Sequence, residues 1–143
     1  MIASIIIRRC RPDECALVLD AWKEAGTMTS VTDTVEVLQR LLGTPATTLL
    51  VAEDGGKLVG SIIAAYDGWR GNFYRLAVLP AYRRQGLARR LVKEGEGFLV
   101  SQGAQRIGGL VAKDRREAVS FWSALGESEY ERDESFVRYV KTL

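Results

Sequence analysis

Positive charge and backbone freedom come together in one short segment of the chain, Arg83-Arg84-Gln85-Gly86-Leu87-Ala88. Arginine side chains bind oxyanions, and a glycine lets backbone N–H groups approach a bulky anion closely. If a helix begins here, its first turn adds four N–H groups without intrahelical partners and roughly half a positive charge from the helix dipole. These residues therefore predict a phosphate-binding turn.

The sequence on either side supplies the two elements that would hold such a turn. Residues 73–79 are mostly aromatic, β-branched or aliphatic and end at Pro80, which cannot continue a strand ladder. From Leu87 to Leu99, apolar residues recur at helical spacing. A P-loop would need Gly-Lys-Ser/Thr and a dinucleotide fingerprint would need three spaced glycines, so neither motif fits.

The composition is typical of one soluble, enzyme-sized domain, and we expect a single domain over residues 1–143. A net charge of +2 is too small to favour nucleic-acid binding. Apolar runs such as residues 46–52 are far shorter than the roughly 20 residues of a membrane span. No charged segment precedes an apolar one at the start of the chain, so we predict a cytoplasmic protein that binds no membrane.

The chain contains no histidine, which excludes hydrolase sites built on Ser-His-Asp or Cys-His. Cys10 and Cys15 provide too few ligands for zinc and are interpreted as buried or idle thiols. We therefore predict no metal site.

Hydrophobic periodicity and turn residues predict an alternating order of strands and helices without repeats. Thr32 or Asp33 is the predicted cap of the second helix, and Asp54-Gly55-Gly56-Lys57 is a predicted hairpin turn. The predicted helices are residues 12–25, a second helix from its cap at Thr32 or Asp33 to its end at Gly43, residues 87 to 101–103, and residues 115–125. The predicted strands are residues 2–8, 47–53, 58–66, 73–79, 105–111, 128–131 and 136–141.

Two segments resemble signatures of the GCN5-related N-acetyltransferases. Arg-x-x-Gly-x-Ala at residues 83–88, with its preceding strand and following helix, is similar to the acyl-CoA-binding motif of that family. Residues 111–126 resemble the second signature, which they match at Ala118, Phe121, Leu125 and Gly126. The chain departs from that signature at three positions, where Arg115 replaces asparagine, Trp122 replaces tyrosine and Glu127 replaces phenylalanine.

The resemblance implies the α/β (α+β) acyl-CoA N-acyltransferase fold. That fold has a central mixed, mostly antiparallel, twisted sheet of about seven strands flanked by four helices. It also implies transfer of an acetyl group from acetyl-CoA to a primary amine by direct attack in a ternary complex. A non-catalytic acyl-CoA-binding or sensing module is the alternative. The acceptor amine is not encoded in any motif, and a homodimer is a possible assembly.

The resemblance also implies which residues bind acyl-CoA. Main-chain atoms of Leu76 and Val78 would bond the pantetheine arm, and the Val78 N–H would polarise the thioester carbonyl. The amides of residues 84–88 would hold the diphosphate, with Arg83 assisting. The full predicted acyl-CoA set is Leu76, Ala77, Val78, Arg83, Arg84, Gln85, Gly86, Leu87 and Ala88.

The proton acceptor is less defined. Alternation along a strand would place Asn72, Tyr74 and Leu76 on one face, and Tyr74 is the predicted catalytic pocket residue. A packed strand tyrosine is the alternative. Because a phenol has a reference pKa of about 10, a water chain ending on Glu53 or Asp67 is a further alternative.

The resemblance also bears on Trp122 and on the site of the acceptor amine. An indole N–H has no usable acid pKa, so Trp122 would either contact the sulfur or pantetheine or pack as a core aromatic. In the family the acceptor site is walled by segments that correspond to residues 25–32 and 132–135. Asp133 and Glu134 would attract a cationic amine there, or would simply be solvated.

Overall fold

The computed structural model describes residues 4–125 and 129–143, which form two units that divide after Gly109. In the first unit, five strands form one sheet in the order β1-β2-β3-β4-β5. Neighbouring strands are antiparallel except β4 and β5, which are parallel. The strands are β1 (Ile6–Arg9), β2 (Thr47–Asp54), β3 (Lys57–Tyr66), β4 (Gly71–Val78) and β5 (Ile107–Gly109).

Of the described helices, three belong to the first unit and one to the second. They are α1 (Cys15–Ala25), α2 (Val35–Leu42), α3 (Leu87–Gln102) and, in the second unit, α4 (Arg116–Ala124). Single 3₁₀ turns at Pro12–Glu14 and Pro80–Tyr82 precede α1 and follow β4. No described helix is long and apolar enough to cross a membrane. The mixed, mostly antiparallel sheet with four helices confirms the predicted fold class.

The strand count is lower than predicted, with five described strands instead of about seven. Residues 129–143 contain no strand, so the predictions for residues 128–131 and 136–141 are wrong there, and Ser128 lies outside the described residues. Phe136 and Tyr139 are 79% and 92% exposed. Strand propensity expresses packing against neighbouring strands, and a segment without such neighbours does not form a ladder.

Helices α1 and α2 pack on one face of the sheet. Trp22 and Leu38 join Leu49, Val51 and Ile63 in a buried cluster there. Helix α2 begins at Thr34, whose Oγ1 accepts a hydrogen bond of 3.2 Å from the Val37 N–H. The predicted caps Thr32 and Asp33 are therefore wrong, and Asp33 has another partner, described below. The two cysteines, Cys10 and Cys15, are buried and free, and burial raises the pKa of the Cys10 thiol to about 12.

Helix α3 packs on the opposite face and approaches β4 closely at Gly95. A Cβ at Gly95 would lie 2.6 Å from Cε1 of Phe73, which is itself buried. Gly97, on the same helix, has nothing within 4 Å of its Cβ position. The two glycines therefore differ in the space beside them, since Gly95 is buried against Phe73 and Gly97 is exposed.

We expect Gly95→Ala to lower the free energy of unfolding by about 1 to 3 kcal/mol, because the new methyl group displaces the Phe73 ring in a packed core. Gly97→Ala should raise it by about 0.5 to 1 kcal/mol, since alanine restricts the unfolded chain and favours helix. Urea unfolding of the two variants checks both values. Shifts of the same sign would contradict the close approach at Gly95.

A charged network attaches β1 to the start of α1 and to β2. Glu14 is only 6% exposed and its carboxylate lies 2.7 Å from Arg8 Nη2 and 3.0 Å from Arg11 Nη2. Arg8 also pairs with Glu53 at 2.8 Å. Hydrogen bonding by Arg8 lowers the pKa of Glu14 to about 2, and the same contact raises the pKa of Arg8.

Candidate active site

The predicted phosphate-binding turn lies between the end of β4 and the start of α3. Arg84 has a φ of +61° and Gly86 a φ of +82°, so two residues of the turn adopt the left-handed conformation. Among the described residues, the backbone N–H groups of residues 84–88 have no acceptor. Backbone that alternates in this way gathers successive N–H groups into an anion-binding concavity. Leu87 is 1% exposed, so only its backbone is available to a ligand.

The Arg83 side chain bonds two backbone carbonyls. Its Nε donates a 3.0 Å hydrogen bond to the Val78 carbonyl, and its Nη2 donates a 2.8 Å hydrogen bond to the Ala25 carbonyl. The Arg83 N–H donates to the Pro80 carbonyl at 3.3 Å. The side chain thus joins the end of β4 to the last turn of α1.

Strand β4 has an edge without a strand partner next to this turn. Parallel β5 pairs only with Gly71, Asn72 and Phe73. From Tyr74 to Val78, β4 is paired with β3 alone among the described strands. The backbone groups that point away from β3 there, apart from the Val78 carbonyl bonded by Arg83, are available to a ligand.

The second half of β4 is displaced by a β-bulge. Ile63 lies opposite Tyr74, whereas Ser61 lies opposite Ala77, so three residues of β4 span two of β3. Arg75 has a φ of +54°, which is rare for a residue with a side chain. The bulge adds one residue to β4 at Arg75 and Leu76.

The bulge changes which side chains share a face. Ser61 and Ile63 are two residues apart on β3, so their side chains lie on the same face of the sheet. Residues directly opposite each other on neighbouring strands also share a face, so Tyr74 and Ala77 lie on that face too. Asn72, two residues before Tyr74, shares that face, but Leu76 does not. The predicted grouping of Asn72, Tyr74 and Leu76 is therefore wrong at Leu76, because one inserted residue inverts the alternation.

The same register sets the directions of the β4 amides. The Leu79 N–H donates to the Val59 carbonyl at 3.0 Å. Along an antiparallel strand, the N–H and C=O groups of successive residues point alternately toward and away from the partner strand. The N–H and C=O of Val78 consequently point away from β3, in agreement with the Arg83 bond to the Val78 carbonyl. The Val78 N–H is thus placed at the unpaired edge.

Four side chains from separate elements meet at the bulge. The Arg75 Nη2 lies 2.8 Å from Asp33 Oδ2, and the Arg75 guanidinium lies 5.2 Å from the centre of the Trp22 ring. The Trp22 indole N–H donates to Ser61 Oγ at 2.8 Å, and Ser61 Oγ donates to the Arg75 carbonyl at 2.8 Å. This cluster was not predicted from the sequence. Arg75 was the available signal, because it is a charged residue within an otherwise uncharged strand.

Tyr74 is 47% exposed, on the sheet face that carries α1 and α2, and its hydroxyl makes no hydrogen bond to the described residues. It is an accessible side chain and not a packed strand tyrosine. Glu53, which pairs with Arg8, lies opposite Leu58 at one end of β3. Asp67 follows the other end of β3, where hydrogen bonds from the Arg70 and Trp69 amides lower its pKa. The structure places neither carboxylate beside Tyr74, since each is roughly 13 to 17 Å away along the strand.

In the second unit, Trp122 lies on α4 within an aromatic cluster. Its ring is 5.3 Å from Phe121 and 4.9 Å from Tyr130, both edge-on. Glu134 pairs with Arg132 at 2.6 Å, and Asp133 accepts a hydrogen bond from the Ser135 N–H. Gly126 and Glu127 of the second signature lie outside the described residues. The contacts support the packing role predicted as one alternative for Trp122.

If Trp122 serves only in packing, Trp122→Tyr and Trp122→Phe should both leave the turnover number per folded molecule unchanged. Each should change the free energy of unfolding by about 1 kcal/mol through loss of ring volume. Steady-state kinetics and thermal unfolding of the two variants measure these effects. A large gain in turnover for Trp122→Tyr alone would show that an acidic hydroxyl is needed at this position.

Sequence and fold comparisons agree with this geometry. The family model for the acetyltransferase (GNAT) family matches residues 15–126. The chain belongs to this family. Among curated relatives, an acetyltransferase of Sodalis glossinidius is 34% identical over 137 residues, covering 96% of this chain and 94% of the relative. An acetyltransferase of Pectobacterium atrosepticum is 32% identical, covering 87% and 86%.

Solved structures of similar fold include two with coenzyme A or an analogue bound. The aminoglycoside N-acetyltransferase AAC(6')-Iy, in complex with the bisubstrate analogue CoA-S-monomethyl-acetylneamine, has a TM-score of 0.79 at 15% identity, covering 97% of this chain and 99% of that chain. The PaiA N-acetyltransferase of Thermoplasma acidophilum, in complex with coenzyme A, has a TM-score of 0.77 at 18% identity, covering 86% and 89%. The family match and the curated relatives confirm that this GNAT protein is an acetyltransferase, and the solved structures confirm its fold.

Proposed function

We propose that this GNAT protein transfers the acetyl group of acetyl-CoA to a primary amine by direct attack within a ternary complex. The observation that carries the proposal is the turn at residues 84–88, whose backbone N–H groups lack acceptors among the described residues and open beside the unpaired edge of β4. A diphosphate on that turn and a pantetheine arm along that edge form one continuous path. The proposal treats the whole chain as a single catalytic domain.

The path assigns roles to main-chain groups of the predicted acyl-CoA set, beside which the Arg83 side chain joins the end of β4 to α1. The amides of Arg84, Gln85, Gly86, Leu87 and Ala88 hold the diphosphate, as expected for orphan donors at a helix start. Main-chain groups of Leu76 and the Val78 N–H, which flank Ala77 and face the unpaired edge, bond the pantetheine arm as an added strand would. The Val78 N–H, which points away from β3, donates to the thioester carbonyl and stabilises the charge that develops on its oxygen.

The reaction then needs one proton acceptor. The amine nitrogen attacks the carbonyl carbon, the carbon–sulfur bond breaks, and the sulfur leaves as the CoA thiolate. The attack leaves one excess proton on the amine nitrogen. Tyr74, accessible on the face that carries α1 and α2, is the proposed pocket residue: its hydroxyl accepts a hydrogen bond from this nitrogen and passes a proton on to water. Water protonates the thiolate, so that role does not fall to Trp122, which packs among aromatic rings. No step uses a metal ion.

We place the enzyme in the cytoplasm, with a small amine or a protein amine as its acceptor. AAC(6')-Iy, whose fold is similar, acts on aminoglycosides by its name, so aminoglycosides belong in an acceptor panel. Lysine peptides, peptide N-termini, amino acids and spermidine complete that panel. A homodimer is proposed as the assembly, to be checked by sedimentation.

The proposal is tested by incubating the protein with acetyl-CoA and each amine, with thiol release and product mass as readouts. We expect acetylation of at least one primary amine, no reaction with a tertiary amine of the same skeleton, and a lower turnover number for Tyr74→Phe. Binding of acetyl-CoA without acetylation of any amine would favour the non-catalytic sensing module. Absence of acetyl-CoA binding would overturn the proposal.

A further inference from the structure

The β4 bulge depends on hydrogen bonds from outside β4. Arg75 has a left-handed backbone at φ +54°, a conformation that is unfavourable for a residue with a Cβ. Its carbonyl accepts a 2.8 Å hydrogen bond from Ser61 Oγ on β3. Ser61 is 2% exposed, so this bond is shielded from water and oriented by its surroundings.

The orientation of the Ser61 hydroxyl is itself determined. The Trp22 indole can only donate, and it donates to Ser61 Oγ at 2.8 Å. The Ser61 hydrogen is therefore directed to the Arg75 carbonyl. Trp22 is 3% exposed and supports the Arg75 guanidinium with its ring face, so one residue orients both ends of Arg75.

The Arg75 carbonyl controls a second group, the N–H of Leu76. The two belong to one trans peptide unit, in which the carbonyl and the N–H point in opposite directions. While Ser61 holds the carbonyl, the Leu76 N–H points away from Ser61. This amide begins the stretch of β4 along which the acetyl end of the coenzyme is proposed to lie.

From this geometry we infer that Ser61, held by Trp22, is a positioning residue that orients the Arg75–Leu76 peptide, and with it the amides that polarise the acetyl carbonyl. The inference rests on the proposed function, because it assumes that acetyl-CoA lies along β4. Without the Ser61 hydroxyl, the strained peptide is free to rotate, and the carbonyl of bound acetyl-CoA loses part of its hydrogen bonding. The acetyl group would still bind, but less polarised.

The experiment compares the acetyl carbonyl in wild-type protein and in Ser61→Ala. The readout is the stretching frequency of ¹³C-labelled acetyl-CoA in infrared difference spectra, which hydrogen bonding to the carbonyl lowers. The second readout is the preference for acetyl-CoA over S-ethyl-CoA, which lacks the carbonyl oxygen. We expect Ser61→Ala to return the frequency toward its value in water and to reduce the preference about fivefold, the effect of one hydrogen bond.

Two further variants keep the test specific. Trp22→Phe removes the indole N–H but leaves Ser61, and should shift the frequency in the same direction by a smaller amount. Thr48→Val is the matched control, because Thr48 is a 3% exposed hydroxyl residue on β2 whose side chain lies on the opposite face of the sheet. Thr48→Val should change the free energy of unfolding, but neither the carbonyl frequency nor the preference for acetyl-CoA over S-ethyl-CoA.

The outcomes separate the inference from the proposed function. A wild-type protein that polarises bound acetyl-CoA, with an unchanged frequency in Ser61→Ala and Trp22→Phe, would overturn the positioning role alone. An equal shift in Thr48→Val would also overturn it. If wild-type protein does not bind acetyl-CoA, the proposed function fails first and the inference fails with it.

Discussion

Gly86→Val is expected to weaken acetyl-CoA binding by more than about a hundredfold while the protein still folds. The φ of Gly86 is +82°, where a β-branched residue is unfavourable by at least about 1 to 2 kcal/mol. The backbone relaxes toward negative φ and the N–H groups of residues 84–88 cease to converge. Loss of two charge-assisted hydrogen bonds, about 1.5 to 3 kcal/mol each, accounts for the expected decrease in affinity.

Gly68→Val is the matched control for this variant. Gly68 has a φ of +91° and, like Gly86, no atom within 4 Å of its Cβ position, so the backbone penalty is comparable. It lies in the turn between β3 and β4, at the opposite end of β4 from residues 84–88. Calorimetric titration should show normal affinity for Gly68→Val and none for Gly86→Val. Equal affinities in two folded variants would contradict the assignment of the turn.

Glu14→Gln is expected to lower the free energy of unfolding at pH 7 by about 3 kcal/mol. The substitution removes the buried charge that faces Arg8 and Arg11, and leaves Arg8 with only Glu53. Breaking a buried ion pair at one partner costs about 3 to 5 kcal/mol. Denaturant unfolding measures the difference.

The pH dependence of that difference gives an independent check. The pKa of Glu14 is about 2 in the folded protein against an ordinary value of 4.5, so its carboxylate stabilises the fold above pH 4.5. As pH falls through this window toward 2, the unfolded chain takes up the proton before the folded protein does, so the unfolded state gains stability and the stabilisation of the fold is lost. The unfolding free energies of wild-type protein and Glu14→Gln should therefore converge near pH 2. A constant difference from pH 7 to pH 2 would show that the effect does not come from the charge.

Most of the architecture could be predicted because it follows from local patterns. Helical spacing from Leu87 and the glycine after Gln102 predict α3, and the Asp54-Gly55-Gly56-Lys57 turn predicts the hairpin of β2 and β3. The predictions failed where local preference was not decisive. Residues 136–141 have strand propensity but no strand partner, and Asp33 is an ordinary helix cap in sequence although it binds Arg75 in the structure.

The phosphate-binding turn was predictable because its residue types carry the chemistry themselves. The β4 bulge was not predictable, because the residues on which it depends are far apart in the sequence. Arg75 adopts a positive φ without being a glycine, and its supports Trp22 and Ser61 lie 53 and 14 residues earlier in the chain. Strict alternation along β4 therefore misplaced Leu76. A sequence pattern can specify the type of an element, but an inserted residue within a strand depends on contacts that form only in the folded chain.

The unpaired edge of β4 has a consequence for the protein before any coenzyme is bound. An open row of strand N–H and C=O groups is a template for association with another chain, and natural proteins shield such edges. In this protein, bound acetyl-CoA would cover the edge of β4 beyond Phe73, where β5 no longer pairs with β4. Coenzyme supply would then influence the solubility of the enzyme as well as its rate, and preparations stripped of coenzyme should be the ones that aggregate.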